Sequence, residues 1–192
     1  MGNSKDDVVV SAYFGGKHTR TRGRGQSYGG YEKNRLYLNQ GGVRFVEVGH
    51  LMDVALEEDC RNVVADDLDG DGRMDLLVTT FEAWPEVKQT LRVYQNTLSD
   101  TGNWIGFRLR EQEPGSSPVG ARITVRTGDG QLVRQLLTGE SHRSQHANVL
   151  HFGLGRTKQV DRVEVRWIGG RSLVLREPAI NRYHQLLLPR TK

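Results

Sequence analysis

Nine residues, Asp67-Leu68-Asp69-Gly70-Asp71-Gly72-Arg73-Met74-Asp75, constrain this chain more than any other stretch. Carboxylates at positions one, three, five and nine of a short loop repel one another unless a cation lies between them. Hard oxygen donors at that spacing, with glycine at position six for the sharp turn, are what Ca²⁺ requires. Position seven, Arg73, supplies a backbone carbonyl, so its side-chain charge need not face the ion. The candidate ligands are therefore Asp67, Asp69, Asp71, the Arg73 carbonyl and Asp75. A helix–loop–helix calcium motif would need a bidentate Glu at position twelve, which is Val78, and helical flanks. The flanks instead read Asn62-Val63-Val64-Ala65 and Leu76-Leu77-Val78-Thr79-Thr80, β-branched runs that suit strands. The expectation is a calcium loop joining two strands; a polar Asp/Gly turn without an ion is the simpler alternative.

Composition narrows the class. A mean hydropathy of -0.58 and the absence of a long apolar run exclude a membrane-spanning helix. The opening residues are polar, with no apolar stretch of the kind an export signal carries. Met1-Gly2 invites myristoylation, but Asp6 stands where Ser or Thr is expected. Cys60 is the single cysteine, which rules out an internal disulfide or a Cys-based zinc site. The net charge of +4 is unevenly spread. Residues 1–96 hold 12 Lys/Arg against 15 Asp/Glu, a balance of -3, while residues 97–192 hold 15 against 8, a balance of +7. Two domains are expected, 1–98 and 99–192, with the polar stretch 97–102 as linker.

Strand patterning fills both halves. Residues 7–14 read as a strand, and 15–33, rich in Gly, Arg, Ser and Tyr, as a long surface loop. Leu51 to Asp59 is the one candidate for a short helical turn. Beyond residue 102, Ile105, Phe107 and Leu109 share one face, as do Ile123 with Val125, and Val163, Val165 and Trp167. Thr127-Gly128-Asp129-Gly130 and Ile168-Gly169-Gly170-Arg171 supply hairpin turns. About seven strands in this half suit a small antiparallel sandwich. The fold class is all-β: partial propeller blades carrying a calcium loop, followed by a sandwich-like domain.

The propeller reading comes from a resemblance. Tyr37-Leu38-Asn39-Gln40-Gly41-Gly42, Arg44-Phe45-Val46-Glu47-Val48, the aspartate loop and Leu91-Arg92-Val93-Tyr94-Gln95-Asn96 together resemble an FG-GAP/VCBS repeat. Downstream, Trp104-Ile105-Gly106-Phe107, Gly120-Ala121-Arg122-Ile123, His151-Phe152-Gly153-Leu154-Gly155 and Val163-Glu164-Val165-Arg166-Trp167 resemble the ASPIC/UnbV domain. The order and spacing, over most of residues 34–189, resemble those of the cartilage acidic protein-like family. The resemblance implies an extracellular or periplasmic, calcium-binding interaction module with a protein or acidic glycan partner. It also implies more blades than this chain contains. Roughly one and a half blades are too few to close a ring. Further blades of a longer protein, or a second copy, are expected to cover the open sheet edge.

Other constellations are weaker. Arg108, Arg110, Arg122, Arg126, Arg162 and Arg166 stand on the polar faces of their strands. If those strands are neighbours, the guanidiniums form a surface for sulfate, carboxylate or phosphate groups; otherwise they belong to an ordinary solvated sheet. Arg20, Arg22 and Arg24, near Tyr28 and Tyr31, suggest RNA, but the acidic balance of that half argues against nucleic acid. His142, His146 and His151 do not share one strand parity, which weakens a zinc reading. Gly139-Glu140-Ser141-His142-Arg143 lacks the second glycine of a nucleophile elbow. No catalytic constellation is apparent. An accessory or enzymatic role in enediyne-type secondary metabolism is the alternative attached to the UnbV name, and a nucleic-acid binder is the third reading.

Overall fold

The computed structural model describes residues 33–82, 88–110, 117–142 and 144–187, with the backbone of strand β1 (Val8–Val9). The remainder of the 7–14 run and the Arg20–Arg24 segment lie outside the described residues. The described chain is all-β, and it divides into two compact units.

The N-terminal unit comprises Val8–Thr97 together with Gly139–Gln145. Strands β2 (Tyr37–Gln40) and β3 (Arg44–Glu47) form the expected hairpin, turned at Gly41 and Gly42. Strand β1 pairs antiparallel with β2, Val8 opposite Leu38, so the early strand has a partner on one side. A second sheet runs β4 (Cys60–Asp66), β5 (Asp75–Glu82) and β6 (Lys88–Tyr94), each antiparallel to the next. The link from β3 to β4 is a turn rather than a helix. Met52 N–H reaches Val48 O, Val54 N–H reaches Gly49 O, and Asp53 then enters the left-handed region at φ 56°, which ends any helical continuation. Among the described residues of this unit the buried apolar ones are Leu36, Val54, Cys60 and Val78. Cys60 packs as a small buried side chain whose Sγ accepts from Asn34 Nδ2 at 2.9 Å, and burial pushes its thiol pKa up.

The C-terminal unit comprises Leu98–Thr138 and the chain from His146 onward. Its strands among the described residues are β7 (Asn103–Arg110), β8 (Arg122–Thr127), β9 (Gly130–Gln135), β10 (Val149–Gly155), β11 (Arg162–Arg166), β12 (Ser172–Arg176) and β13 (Tyr183–Leu187). They make two sheets, ordered β10-β7-β13 and β12-β11-β8-β9. All pairings are antiparallel except β13 with β7, which run parallel. The alternation read from sequence sets the inner faces. Ile105, Phe107, Leu109, Ile123, Val125, Phe152, Val163 and Val165 join one buried cluster with Leu186 and Trp167. Phe107 and Phe152 meet edge to face at 5.8 Å and 77°, a favoured aromatic geometry. The tight turn after β11 closes with Gly170 N–H donating to Trp167 O at 3.2 Å, and it uses Gly169 and Gly170 at positive φ, where a side chain would be strained.

Candidate metal centre

The aspartate loop joins β4 to β5, as the flanking runs require. Gly70 (φ 79°) and Gly72 (φ 89°) let the backbone fold back on itself where a side chain would be strained. Asp67 anchors the turn. It is buried, its Oδ1 accepts from Gly70 N–H at 2.8 Å, and its Oδ2 accepts from Gly72 N–H at 2.9 Å. Asp69 accepts from Asp71 N–H at 3.2 Å, and Asp71 from Arg73 N–H at 2.8 Å. These bonds draw oxygens of Asp67, Asp69 and Asp71 to within 4.8 Å of one another. Each carboxylate oxygen keeps a further lone pair, so the donor set fits a hard cation.

The other two candidate ligands behave differently. Asp75, only 3% exposed, lies outside that group of three. Its Oδ2 accepts from Leu68 N–H at 3.0 Å and its Oδ1 from Asn96 N–H at 2.8 Å, so it ties both ends of the loop to β6's exit. The Arg73 side chain turns back onto the loop, pairing with Asp71 while its Nε donates to Asn96 O at 2.6 Å. Gln95 donates to Asp69 Oδ2 at 2.8 Å, and this bond holds the Asp69 carboxyl below the usual carboxylate range. Gln95 and Asn96 are supports that spacing alone does not single out, because they lie just beyond β6, 26 and 21 residues from the aspartates they hold.

The six arginines separate. Arg108 and Arg110 lie on β7, in the three-stranded sheet, whereas Arg122, Arg126, Arg162 and Arg166 lie on β8 and β11 of the four-stranded sheet. In the latter, Arg126 stands directly opposite Arg162, and Arg122 opposite Arg166. Arg166 donates to Glu164 at 2.9 Å. Arg108 instead places its guanidinium 4.6 Å from the Tyr183 ring centre. Beside it, Trp104 and His151 stack at 5.1 Å, and His151 Nδ1 lies 3.2 Å from Tyr183 Oη.

Residues 1–78 match the FG-GAP-like repeat, and residues 111–192 match the family described as ASPIC and UnbV. The chain joins an FG-GAP-like repeat to an ASPIC/UnbV domain. Cartilage acidic protein 1 of Mus musculus is 32% identical over 120 residues, 61% of this chain and 18% of that protein. Its Homo sapiens counterpart is 31% identical over 142 residues, 71% of this chain and 21% of that protein. The chain thus spans about a fifth of the length of these relatives.

In the FG-GAP-like part, Asp67, Asp69 and Asp71 are the one group of three metal-capable side chains among the described residues. The three histidines form no such group: His151 sits in the aromatic stack, and His142 and His146 lie outside the strands. Ser141, centre of the near-elbow motif, accepts from Val63 N–H at 3.3 Å and bridges to Ser144. In the ASPIC/UnbV part, Arg176 joins the basic sheet face, opposite Arg162. Its strand was legible, but its neighbours were not. No helix among the described residues is long and apolar enough to cross a membrane.

Proposed function

We propose that this chain is a calcium-organised interaction module acting in an extracellular or periplasmic setting, with no catalytic role of its own. The carrying observation is the convergence of Asp67, Asp69 and Asp71 within 4.8 Å, on a loop whose glycines and amides already hold the turn. Ca²⁺ binds there through these three carboxylates, with the Arg73 carbonyl and Asp75 completing the set. The ion neutralises a loop that otherwise concentrates negative charge, and so stiffens the β4–β5 connection. Extracellular modules work at calcium affinities near about 10⁻⁴–10⁻³ M, which suits a partly exposed site.

The partner is anionic. Arg122, Arg126, Arg162 and Arg166 face outward from adjacent strands of the ASPIC/UnbV domain, a surface complementary to acidic glycans. Arg108 and Arg110 extend a second, separate basic surface on β7. The name of the curated relatives, cartilage acidic protein, is in keeping with such a setting. The outward residues Leu91 and Val93 of β6, each 57% exposed, form an apolar sheet face that further blades or a second copy would cover.

Isothermal titration with CaCl₂ tests the metal reading. One site per chain is expected, with loss of the heat in Asp69→Ala. Identical melting curves in calcium and in chelator would sink it.

A further inference from the structure

Arg162 is hemmed in by its own kind. On the four-stranded sheet it stands directly opposite Arg126 on one side and Arg176 on the other, so three guanidinium-bearing residues form one row across β8, β11 and β12. Gln131 of β9 continues the row opposite Arg126. Like charges directly opposite one another destabilise a sheet. At the far end of the same face, Glu164 relieves Arg166. The row itself has no such relief: among the described residues no ion pair joins Arg126, Arg162 or Arg176 to an acid, although Asp161 and Glu177 are near in sequence. Moreover Arg162 Nε is shielded from solvent and has no hydrogen-bond partner. A buried charged donor without an acceptor is costly, and a bound water or anion is one way to meet it.

A groove of about 630 Å³ opens at this point, lined by Arg126, Gln131, Asp161, Arg162 and the turn after β8. Asp161 is the one acid in the lining, and its backbone holds the edge in place: its N–H donates to Arg126 O at 2.9 Å and its carbonyl accepts from Glu177 N–H at 3.0 Å.

We propose that this groove is a discrete oxyanion subsite that takes one sulfate-ester group of an acidic glycan, held by Arg162 and Arg126 with Arg176 at its margin. The proposal rests on the anionic-partner reading above and gives it an address. Each planar guanidinium can present two N–H donors to two oxygens of a tetrahedral sulfate, and an oxyanion there would meet the unpartnered Nε and separate the like charges. A glycan is favoured over a nucleic acid because no outward residue of this sheet is aromatic. Gln131, Val133, Gln135, Arg122, Thr124, Arg126, Glu164 and Val174 offer no aromatic ring for bases to stack on.

The test is titration of the 192-residue chain, with calcium present, against a sulfated hexasaccharide, an unsulfated uronic-acid hexasaccharide and a DNA hexamer. Arg162→Gln and Arg126→Gln should each weaken the sulfated ligand by about tenfold or more, the effect of losing a charge-assisted contact. Arg126→Lys should lose most of that, because it keeps the charge without the fork. Arg122→Gln and Arg166→Gln should cost several-fold less than Arg162→Gln, and the remote Lys158→Gln no more than about twofold, as screened charges do. Melting curves matching the wild type establish that the variants are folded. Equal losses at Arg122 and Arg126 would overturn the subsite and leave a diffuse basic face. Failure of the wild-type chain to bind the sulfated ligand would overturn both. Tighter binding of the DNA hexamer, or of the unsulfated hexasaccharide, would overturn the assignment to sulfate.

Discussion

The ring of Tyr183 lies against the backbone of Gly106: a Cβ at position 106 would come within 2.2 Å of two of its ring carbons. The two residues are partners in the parallel β7–β13 pairing, so the glycine sets how closely the ring approaches the sheet. Gly106→Ala should displace Tyr183 from Trp104 and Arg108 and lower stability by about 1–3 kcal/mol, the cost of overpacking. Urea denaturation of the double variant with Tyr183→Ala checks the cause. There the same alanine should cost little, because the atoms it strikes are gone.

Asp67 and Asp69 should separate in their dependence on calcium. Asp67→Ala strips the acceptor from two loop amides, so it should lose about 1–3 kcal/mol even in chelator. Asp69→Ala, whose bonds to Asp71 N–H and Gln95 are solvent-exposed, should cost the chelated protein less than Asp67→Ala does and should abolish the gain from calcium. That gain is about 2.7 kcal/mol for wild type when free calcium is a hundred times its dissociation constant. Thermal unfolding of both variants with and without calcium reads the contrast.

Arg92 Nε donates to Glu58 Oε2 at 2.8 Å, and this pairing holds the Glu58 carboxyl below its ordinary 4.5. A depressed folded-state pKa means that the unfolded chain takes up the proton first as pH falls. The stabilisation is therefore present above 4.5 and is lost as pH drops from there through the folded value. Glu58→Gln should flatten the acid limb of the stability profile and change little in its shape near neutrality. Denaturant midpoints taken from about pH 6 down to pH 3 test this.

The apolar outer face of β6 should cause association of the isolated chain. Light scattering should give a mass that rises with concentration above 21.6 kDa. Replacing both Leu91 and Val93 with Lys should hold it at that value, since charge on an exposed edge strand blocks sheet pairing.

The geometry of the aspartate loop is legible because it is local: nine consecutive residues carry the clustered carboxylates and the turn. The inward alternation of Ile105, Phe107 and Leu109, and the Gly169-Gly170 turn, were legible for the same reason. Strand partnership is not local. Nothing in the spacing of Arg108 and Arg122 says that they belong to different sheets, or that Arg176 lies beside Arg162. The β3–β4 link reads as helix-compatible until Asp53 adopts a left-handed backbone, a choice made by its surroundings. Trp104, His151 and Tyr183 gather only because three strands distant in sequence share one face.

The parallel pairing of β13 with β7 has a consequence for how the chain is made. Strand β7 lies in the middle of its sheet, and one of its two neighbours is the last strand of the domain. A nascent chain emerging from the ribosome can assemble β8 with β9 and β11 with β12 as each hairpin appears. It cannot cover the far side of β7 until Leu187 is clear of the exit tunnel. Until then, Leu109 lacks its partner Leu186, and β7 presents an open hydrogen-bonding edge to any passing strand. Closure across so long a stretch of chain is also slow. A translational pause shortly before residue 183 would lengthen this vulnerable interval, and a chaperone that shields strand edges would be of most use then.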